Sequence, residues 1–478
     1  DGGRRTTNWR RDASDANAAA GTAIHVLRAH ARDLVRNNPY AANAVRTIAT
    51  NTVGWGIVPK PSVSNAQVRS RVQSMWKSWA ETTECDADGR HTFYGLQRLA
   101  MRSIAEAGEV IIRRRRRYPE DGLTIPLQIQ VLEPDFIDTT KHGIWGQDGG
   151  PIVQGVEFDK LGRRVAYWLW QRHPGANYLT VGQFGSKRIP ASEVVHVFDV
   201  QRAGQARGVS WLAPAIVNLK DFDEFEDAQL MRQKIAACFA AFVSDTDGSG
   251  APLGRDSGKQ GNDPIETIEP GLVSYLPPEK QVTFANPPLT TDDGFSTRTL
   301  RRIAAGIGVT YEDLTGDYSQ VNFSSARMSR IRHYAHVHDW RWNMLIPQLC
   351  DPVWRWAMEA AQVAGVVTDA PGAEWTPPPM AMIEPDKEGL AKMRLIRAGG
   401  MTVSEMIREQ GHDPDAFLAE YAADLKRLDA LGIVLDSDAR RVTQAGLEQP
   451  GGDTAATSPT PTNGVTKKSA GAMQRPVV

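Results

Sequence analysis

Five groups of residues in this chain have types and spacings that chemistry could use. Gly254-Arg255-Asp256-Ser257-Gly258-Lys259-Gln260 approaches a phosphate-cradling loop, in which backbone donors wrap a phosphate and a hydroxyl after the lysine holds magnesium. It is one residue short and has Gln260 where the hydroxyl belongs, so ATP hydrolysis is not expected. Gly208-Val209-Ser210-Trp211-Leu212 lacks the second glycine that a nucleophile elbow needs, and Ser210 reads instead as a residue near the start of a long helix. Asp135 and Glu157, with Lys160 following, invite a metal-dependent nuclease. That chemistry usually places one residue between acid and lysine, and Asp159 directly before Lys160 fits a hairpin turn better. His333, His336 and His338 look like metal ligands, but on a straight helix His338 projects well away from the other two. It falls on an apolar seam, so a core or interface histidine is expected.

Arg113, Arg114, Arg115, Arg116 and Arg117 form the densest charge run. Alternate residues of a strand face opposite ways, so these arginines cannot all be buried on one side. With the turn Pro119–Gly122 following, the run reads as an exposed edge whose charge guards against aggregation. Its functional readings are pairing with an acidic neighbouring subunit or, second, phosphate contact.

The elements around these groups follow from periodicity. Ile24, Leu27, Ala31, Leu34 and Val35 recur at helical spacing until Asn37-Asn38-Pro39, where Asn38 caps a second helix. A third helix follows Ser64, and a fourth runs from Thr92 to Ala107, stopped by Gly108. The period then becomes two: Leu127, Ile129 and Val131 form a strand, residues 156–158 and 165–169 a hairpin, and residues 194–198 another strand. A long helix is expected over about 214–242, a Gly/Asp/Pro-rich loop over 244–264, short strands near 272–276 and 282–284, and a helix over about 292–305. From Ser324 a helix carries Ile331, Ala335, His338, Trp342, Leu345, Leu349, Val353 and Trp356 in one seam, kinked or split by Pro347 and Pro352. Helices near 385–398, 402–410 and 414–431 follow, and residues 448–478 have the composition of a disordered tail.

The 478 residues carry 55 Lys+Arg against 56 Asp+Glu, a net charge of -1, with 41% hydrophobic and 23% charged residues. That length suits several domains with a real core. Global neutrality excludes a simple basic DNA-coating protein, so any nucleic acid must be handled locally. Three dispersed cysteines, Cys85, Cys238 and Cys350, argue against a disulfide framework or a cysteine zinc site and for a reducing compartment. No apolar run reaches the length of a membrane span.

Several phrases then match something specific. Arg36-Asn37-Asn38-Pro39-Tyr40, Asn51-Thr52-Val53-Gly54, Gly155-Val156-Glu157-Phe158-Asp159, Gly204-Gln205-Ala206-Arg207-Gly208-Val209-Ser210-Trp211 and Gly316-Asp317-Tyr318-Ser319-Gln320-Val321-Asn322-Phe323-Ser324-Ser325 together resemble the portal proteins of tailed phages, lambda-like branch. The resemblance implies a non-enzymatic, mainly helical α+β protomer without cofactor or metal. It implies a dodecameric homo-oligomeric ring at one capsid vertex in the virion, assembled in the host cytoplasm. Double-stranded DNA would pass through the ring during packaging and ejection, without sequence preference. The partners implied are a terminase motor, a head–tail adaptor and the major capsid or scaffold protein, with no membrane. The alternatives are a metal-dependent nucleic-acid-processing enzyme or another virion ring or adaptor protein.

By the same analogy, residues 1–17 are an N-terminal arm, 18–212 an α+β wing, 213–242 a stem helix, 243–290 a small β-containing clip and 291–308 a second stem helix. Residues 309–325 are the tunnel loop, 326–383 the long kinked helix from wing to crown, 384–447 a helical crown and 448–478 the tail. The loop Tyr318, Ser319, Gln320, Val321, Asn322 and Phe323 would face DNA; it contains no Lys or Arg, which suits weak, register-free contact. Without the resemblance it reads as a capped turn before a helix. Asp223, Glu224 and Asp227 would supply acidic channel or interface charges. The apolar stripes of the long helices are wider than one chain covers, so neighbouring copies are expected to bury them.

Overall fold

A computed structural model of the chain describes residues 13–21, 23–176, 185–237, 294–435, 438 and 440. Helix α1 (Ala16–Ala20) is capped by Asp15. Helices α2 (Ala23–Asn37) and α3 (Pro39–Val53) meet at Asn38, whose Oδ1 accepts the Ala41 amide at 2.9 Å while Pro39 occupies a position that needs no N–H. After strand β1 (Val58–Ser62), helix α4 (Ala66–Ala80) turns Val72, Met75, Trp76 and Trp79 inward. Its cap is Asn65, one residue after Ser64. Helix α5 (Phe93–Ala107) runs from a Thr92 cap to Gly108, which has a φ of 92°. Gly108 is also a crossing point. A Cβ there would lie 2.3 Å from the Val209 carbonyl carbon, and one at Gly208 would lie 2.2 Å from the Gly108 oxygen, so only glycine lets the two backbones touch.

Strand β2 (Glu109–Arg116) pairs antiparallel with β3 (Leu127–Leu132) on one side. Strands β4 (Ile144–Trp145), β5 (Gly149–Val153), β6 (Val156–Asp159), β7 (Arg164–Trp170) and β8 (Ser186–Pro190) form a second, antiparallel sheet in chain order. Strand β9 (Val194–Phe198) returns to pair with the other side of β2 over Glu109–Arg113. The arginine run is therefore not an edge as expected. Through Arg113 it lies on a central strand, and only Arg114–Arg116 have one open side, because β9 stops pairing there.

Helix α6 (Ile216–Ala237) buries Leu219 and Phe222, but its later stripe is uncovered, with Met231 57% exposed. Helix α7 (Phe295–Ile307) packs Leu300, Ile303, Ala304 and Ile307 inward. The loop and strands expected at 244–264, 272–276 and 282–284 lie outside the described residues, as do the near-phosphate loop and the tail at 448–478. Helix α8 (Tyr311–Thr315) leads to α9 (Phe323–Asp339), which passes into an 11-residue π-helical stretch, Trp340–Cys350, and then α10 (Asp351–Val363).

The expected seam is real as a repeat but not as one buried face. Ile331, Ala335, His338 and Trp342 are exposed, whereas Leu345, Leu349, Val353 and Trp356 are buried. The π-stretch is the cause: its i→i+5 bonding widens the turn to about 4.4 residues, so 11 residues accumulate roughly half a turn of phase against an α-helix. On α9 the buried face is instead His333 and Val337, so the core histidine is His333 rather than His338. Pro347 sits inside the π-stretch, and Pro352 falls in the first turn of α10, where a missing N–H costs little.

Strand β10 (Gly372–Thr376) pairs with β1. Helices α11 (Pro385–Arg397) and α12 (Val403–Glu409) complete the first compact unit, which ends at His412. The second begins at Asp413, the cap of α13 (Pro414–Leu431). In the first unit a continuous apolar core runs from α2–α5 through the faces of β2, β3 and β9 to α6, α7, the π-stretch and α10. Its aromatic centre is Trp76, with ring centroids 5.3 Å from Phe93 and 4.8 Å from Trp354. Ile111, Ile137, Val156, Tyr167 and Leu169 form a smaller core under the second sheet.

Candidate functional site

The segment 317–323 is a built turn hung on a rigid frame. Gly316 closes α8 with a φ of 72°. Asp317 then organises the turn: its Oδ1 accepts the Ser319 amide at 2.9 Å and its Oδ2 accepts the Tyr311 hydroxyl at 3.0 Å. The Val321 amide donates to the Tyr318 carbonyl at 3.2 Å, and Asn322 Oδ1 caps α9 by accepting the Ser325 amide at 2.8 Å. From α3, the Asn43 amide donates to the carbonyls of Asp313 and Leu314 at 2.7 and 3.0 Å, tying α8 down. Tyr318 is 61% exposed, and Ser319, Gln320 and Asn322 are exposed beside it. Val321 is half-buried, and Phe323 opens the helix. The result is a protruding polar and aromatic tip without a cation between Asp317 and Phe323.

Of the acidic residues on α6, Asp223 is engaged inside the chain, accepting from the Asn38 side chain at 2.6 Å. Glu224 is exposed, 3.6 Å from Lys220, and Asp227 is exposed. The arginine run is mostly partnered. Arg114 reaches Glu359 at 2.8 Å and lies over the Trp356 ring; Arg115 donates to Gln130, Arg116 pairs with Glu193, and Arg117 donates to Gln128 at 2.7 Å. Burial lowers the Arg113 guanidinium pKa.

Asp135 and Glu157 are not brought into one metal-binding group. Asp135 is held by Arg32 at 2.6 Å, and Glu157 is held by Arg188 at 2.9 Å and by the Gln147 amide. Glu133, Asp135 and His173 do converge, but the Arg32 guanidinium already bridges both carboxylates. Ser210 is buried, its hydroxyl accepting the Leu212 amide at 3.2 Å.

Two buried groups that periodicity did not point to hold the frame. The first centres on Glu109, fully buried at the start of β2. Arg28 donates to it at 2.8 Å, Arg207 at 3.0 Å, the Gly208 amide at 2.7 Å, and His196 lies at 2.9 Å. Burial alone would raise this carboxyl; Arg207, the His196 hydrogen bond and Arg28 outweigh it and hold the group well below the ordinary range. Burial pushes His196 down to about 4, so it is neutral at neutral pH. Arg207 also donates to the Gln154 carbonyl at 3.0 Å, and Asn17 Oδ1 accepts the Ala206 amide at 2.7 Å. The motifs at 155–159 and 204–211 thus meet at one polar joint.

The second is Arg341, buried in the π-stretch. It donates to the carbonyls of Thr52 at 2.6 Å, Asn51 at 2.9 Å and Pro378 at 3.1 Å. Two of these lie in the last turn of α3, where unpaired carbonyls and the helix dipole attract a cation. Burial lowers this guanidinium to about 10. The Asn51 side chain meets His333 Nε2 at 2.9 Å, so the motif 51–54 is a docking point for α9 and its continuation. Only the match of the phrases themselves could have found these joints.

A family model described as "Phage portal protein, lambda family" matches residues 2–341. The chain is 29% identical over 455 residues to a probable portal protein of Halomonas phage phiHAP-1, covering 90% of this chain and 86% of that protein. It is 25% identical over 469 residues to portal protein B of Escherichia phage lambda, covering 88% and 87%. Among solved structures, a chain in the neck of a native gene transfer agent particle, computed with twelvefold symmetry, aligns with a TM-score of 0.43 and 17% identity, over 80% of this chain and 94% of that one. With the family model covering most of the sequence and the relatives running nearly end to end, this chain belongs to the lambda family of phage portal proteins.

Proposed function

We propose that this chain is the portal of a tailed-phage virion: a homo-oligomeric, dodecameric ring at one capsid vertex through which double-stranded DNA enters during packaging and leaves at ejection. The observation that carries the reading is the family match over residues 2–341. In this reading residues 18–212 form the wing, α6 and α7 the two stem helices around a clip at 243–290, and 384–447 the crown. The tip Tyr318–Asn322 lines the bore. A translocating channel must guide a polyanion without gripping it, and a ring of arginines would bind phosphates with an affinity that multiplies contact by contact. A tip with hydroxyls, amides and one aromatic ring touches the duplex weakly at any register.

The ring is a passive conduit in this scheme, without a reaction of its own. A separate terminase motor supplies the energy, a head–tail adaptor docks below, and the capsid or scaffold protein surrounds the ring. Assembly takes place in the host cytoplasm. Light scattering of the purified chain at moderate salt, with low-resolution imaging of the particle, tests this directly. A mass of about twelve chains and a central pore are expected; a strictly monomeric mass across concentrations would overturn the reading.

A further inference from the structure

Helices α6 and α7 carry opposite charges that do not meet. Between Asp221 and Asp227, α6 bears Asp221, Asp223, Glu224, Glu226 and Asp227 and no cation. Helix α7 bears Arg298, Arg301 and Arg302 and no carboxylate. Among the described residues none of these arginines pairs with a carboxylate. Arg301 lies over the Tyr311 ring, 5.4 Å from its centroid, while Arg298 and Arg302 are left to solvent. Successive α-helical residues turn by about 100°, which places Arg298, Arg301 and Arg302 on one face, opposite Leu300, Ile303 and Ile307. The same arithmetic puts Glu224 and Asp227 on one outer flank of α6.

The two charged stretches also overlap in height. The Phe225 and Phe295 ring centroids are 4.7 Å apart, and at the other end a Cβ on Gly306 would lie 3.7 Å from Pro214 Cβ. The helices are therefore antiparallel, with Arg298 near the level of residue 222. From Asp221 to Asp227 is about 9 Å of helix, and from Arg298 to Arg302 about 6 Å. Apolar side chains frame the acidic flank: Val217 is 68% exposed, Leu230 50% and Met231 57%.

We infer that the acidic flank of α6 docks on the arginine face of α7 of a second copy of this chain, as the electrostatic latch between neighbours in the ring. The inference rests on the ring proposed above and deepens it. Rotation about a ring axis leaves height unchanged. Complementary patches on a helix pair that runs along the axis therefore meet a neighbour only if they sit at one level, and these do. One patch per helix makes the contact heterologous, the kind that closes a ring instead of stopping at a dimer. Charge complementarity of this sort fixes register and speeds encounter, and exposed pairs weaken with salt.

The test uses the full chain and its assembly curve by light scattering. Glu224→Arg with Asp227→Arg, or Arg298→Glu with Arg302→Glu, should each raise the concentration of half-assembly by roughly tenfold or more. All four together should return it to within about threefold of the parent. Unchanged circular dichroism and unfolding temperature establish that each variant is folded. If a reversed pair is not, the neutral pairs Glu224→Gln/Asp227→Asn and Arg298→Gln/Arg302→Gln read the same dependence. Single-side variants that assemble like the parent, or a folded fourfold variant that does not recover, overturn the latch while leaving the ring standing. A ring that persists in Arg298→Glu/Arg302→Glu but loses its grip on DNA also overturns it, by placing those arginines in the bore. A parent that never assembles sinks the ring itself, and the latch with it.

Discussion

Glu109 holds a balanced set of buried charges: two carboxylates, Glu109 and Asp135, against two guanidiniums, Arg28 and Arg207, with His196 neutral. Removing the carboxylate charge strands both arginines, so Glu109→Gln should cost about 3–5 kcal/mol in denaturant unfolding. His196 adds a pH signature. Its folded pKa of about 4 lies below the ordinary value of 6.5, so between those pH values the unfolded chain binds a proton that the folded one does not. Stability should therefore fall as pH drops through that window, by about 1.4 kcal/mol per pH unit for this one proton. Glu109, held well below its ordinary range, extends the loss to lower pH. In unfolding series from pH 7 to 4, His196→Gln should show a shallower slope than the parent; an identical slope would remove His196 from the account. None of this joint is visible to periodicity, because Glu109 and its partners Arg28, His196 and Arg207 lie 81, 87 and 98 residues away in sequence.

Whole elements were more legible than their environments. Caps and stops carry local chemistry, so Asn38-Pro39, Thr92 and Gly108 mark helix ends where the backbone obeys them, and Pro385–Arg397, Val403–Glu409 and Pro414–Leu431 fall close to the expected spans. Sheet order is not local. Nothing in Arg113–Arg117 reveals that β9 returns to the far side of β2 some 80 residues later. The π-stretch was equally hidden, since a hydrophobic repeat records spacing but not the pitch of the backbone carrying it. At this scale Arg341 is the test. Arg341→Met fills the space but leaves the carbonyls of Asn51, Thr52 and Pro378 unpaired, and should lower stability by about 1–3 kcal/mol each time it is measured by thermal or denaturant unfolding. Arg341→Lys should recover part of that loss, because a cation at the α3 terminus survives while the forked geometry does not.

For the whole molecule, the channel reading makes the charge of the tip at Tyr318–Asn322 its adjustable parameter. Asn322 caps α9, so a lysine there would also loosen the helix; Tyr318 and Gln320 are the cleaner positions. Tyr318→Lys with Gln320→Lys should leave assembly unchanged and slow DNA packaging severalfold, more so at low salt (roughly twofold to tenfold) because each added cation releases counterions on contact. Packaging at the parent rate in that variant would take the tip out of the mechanism.

The slow screw of Trp340–Cys350 has a use that neither flanking helix could supply alone. It lets one uninterrupted rod show its oily stripe outward along Ile331 and Trp342 and inward along Leu345 and Leu349. Excising a single residue there would swing one half against the other by about a quarter turn. Either the hydrophobic interior or the outward stripe would then be facing the wrong way, so the length of this short segment is as constrained as any side chain in it.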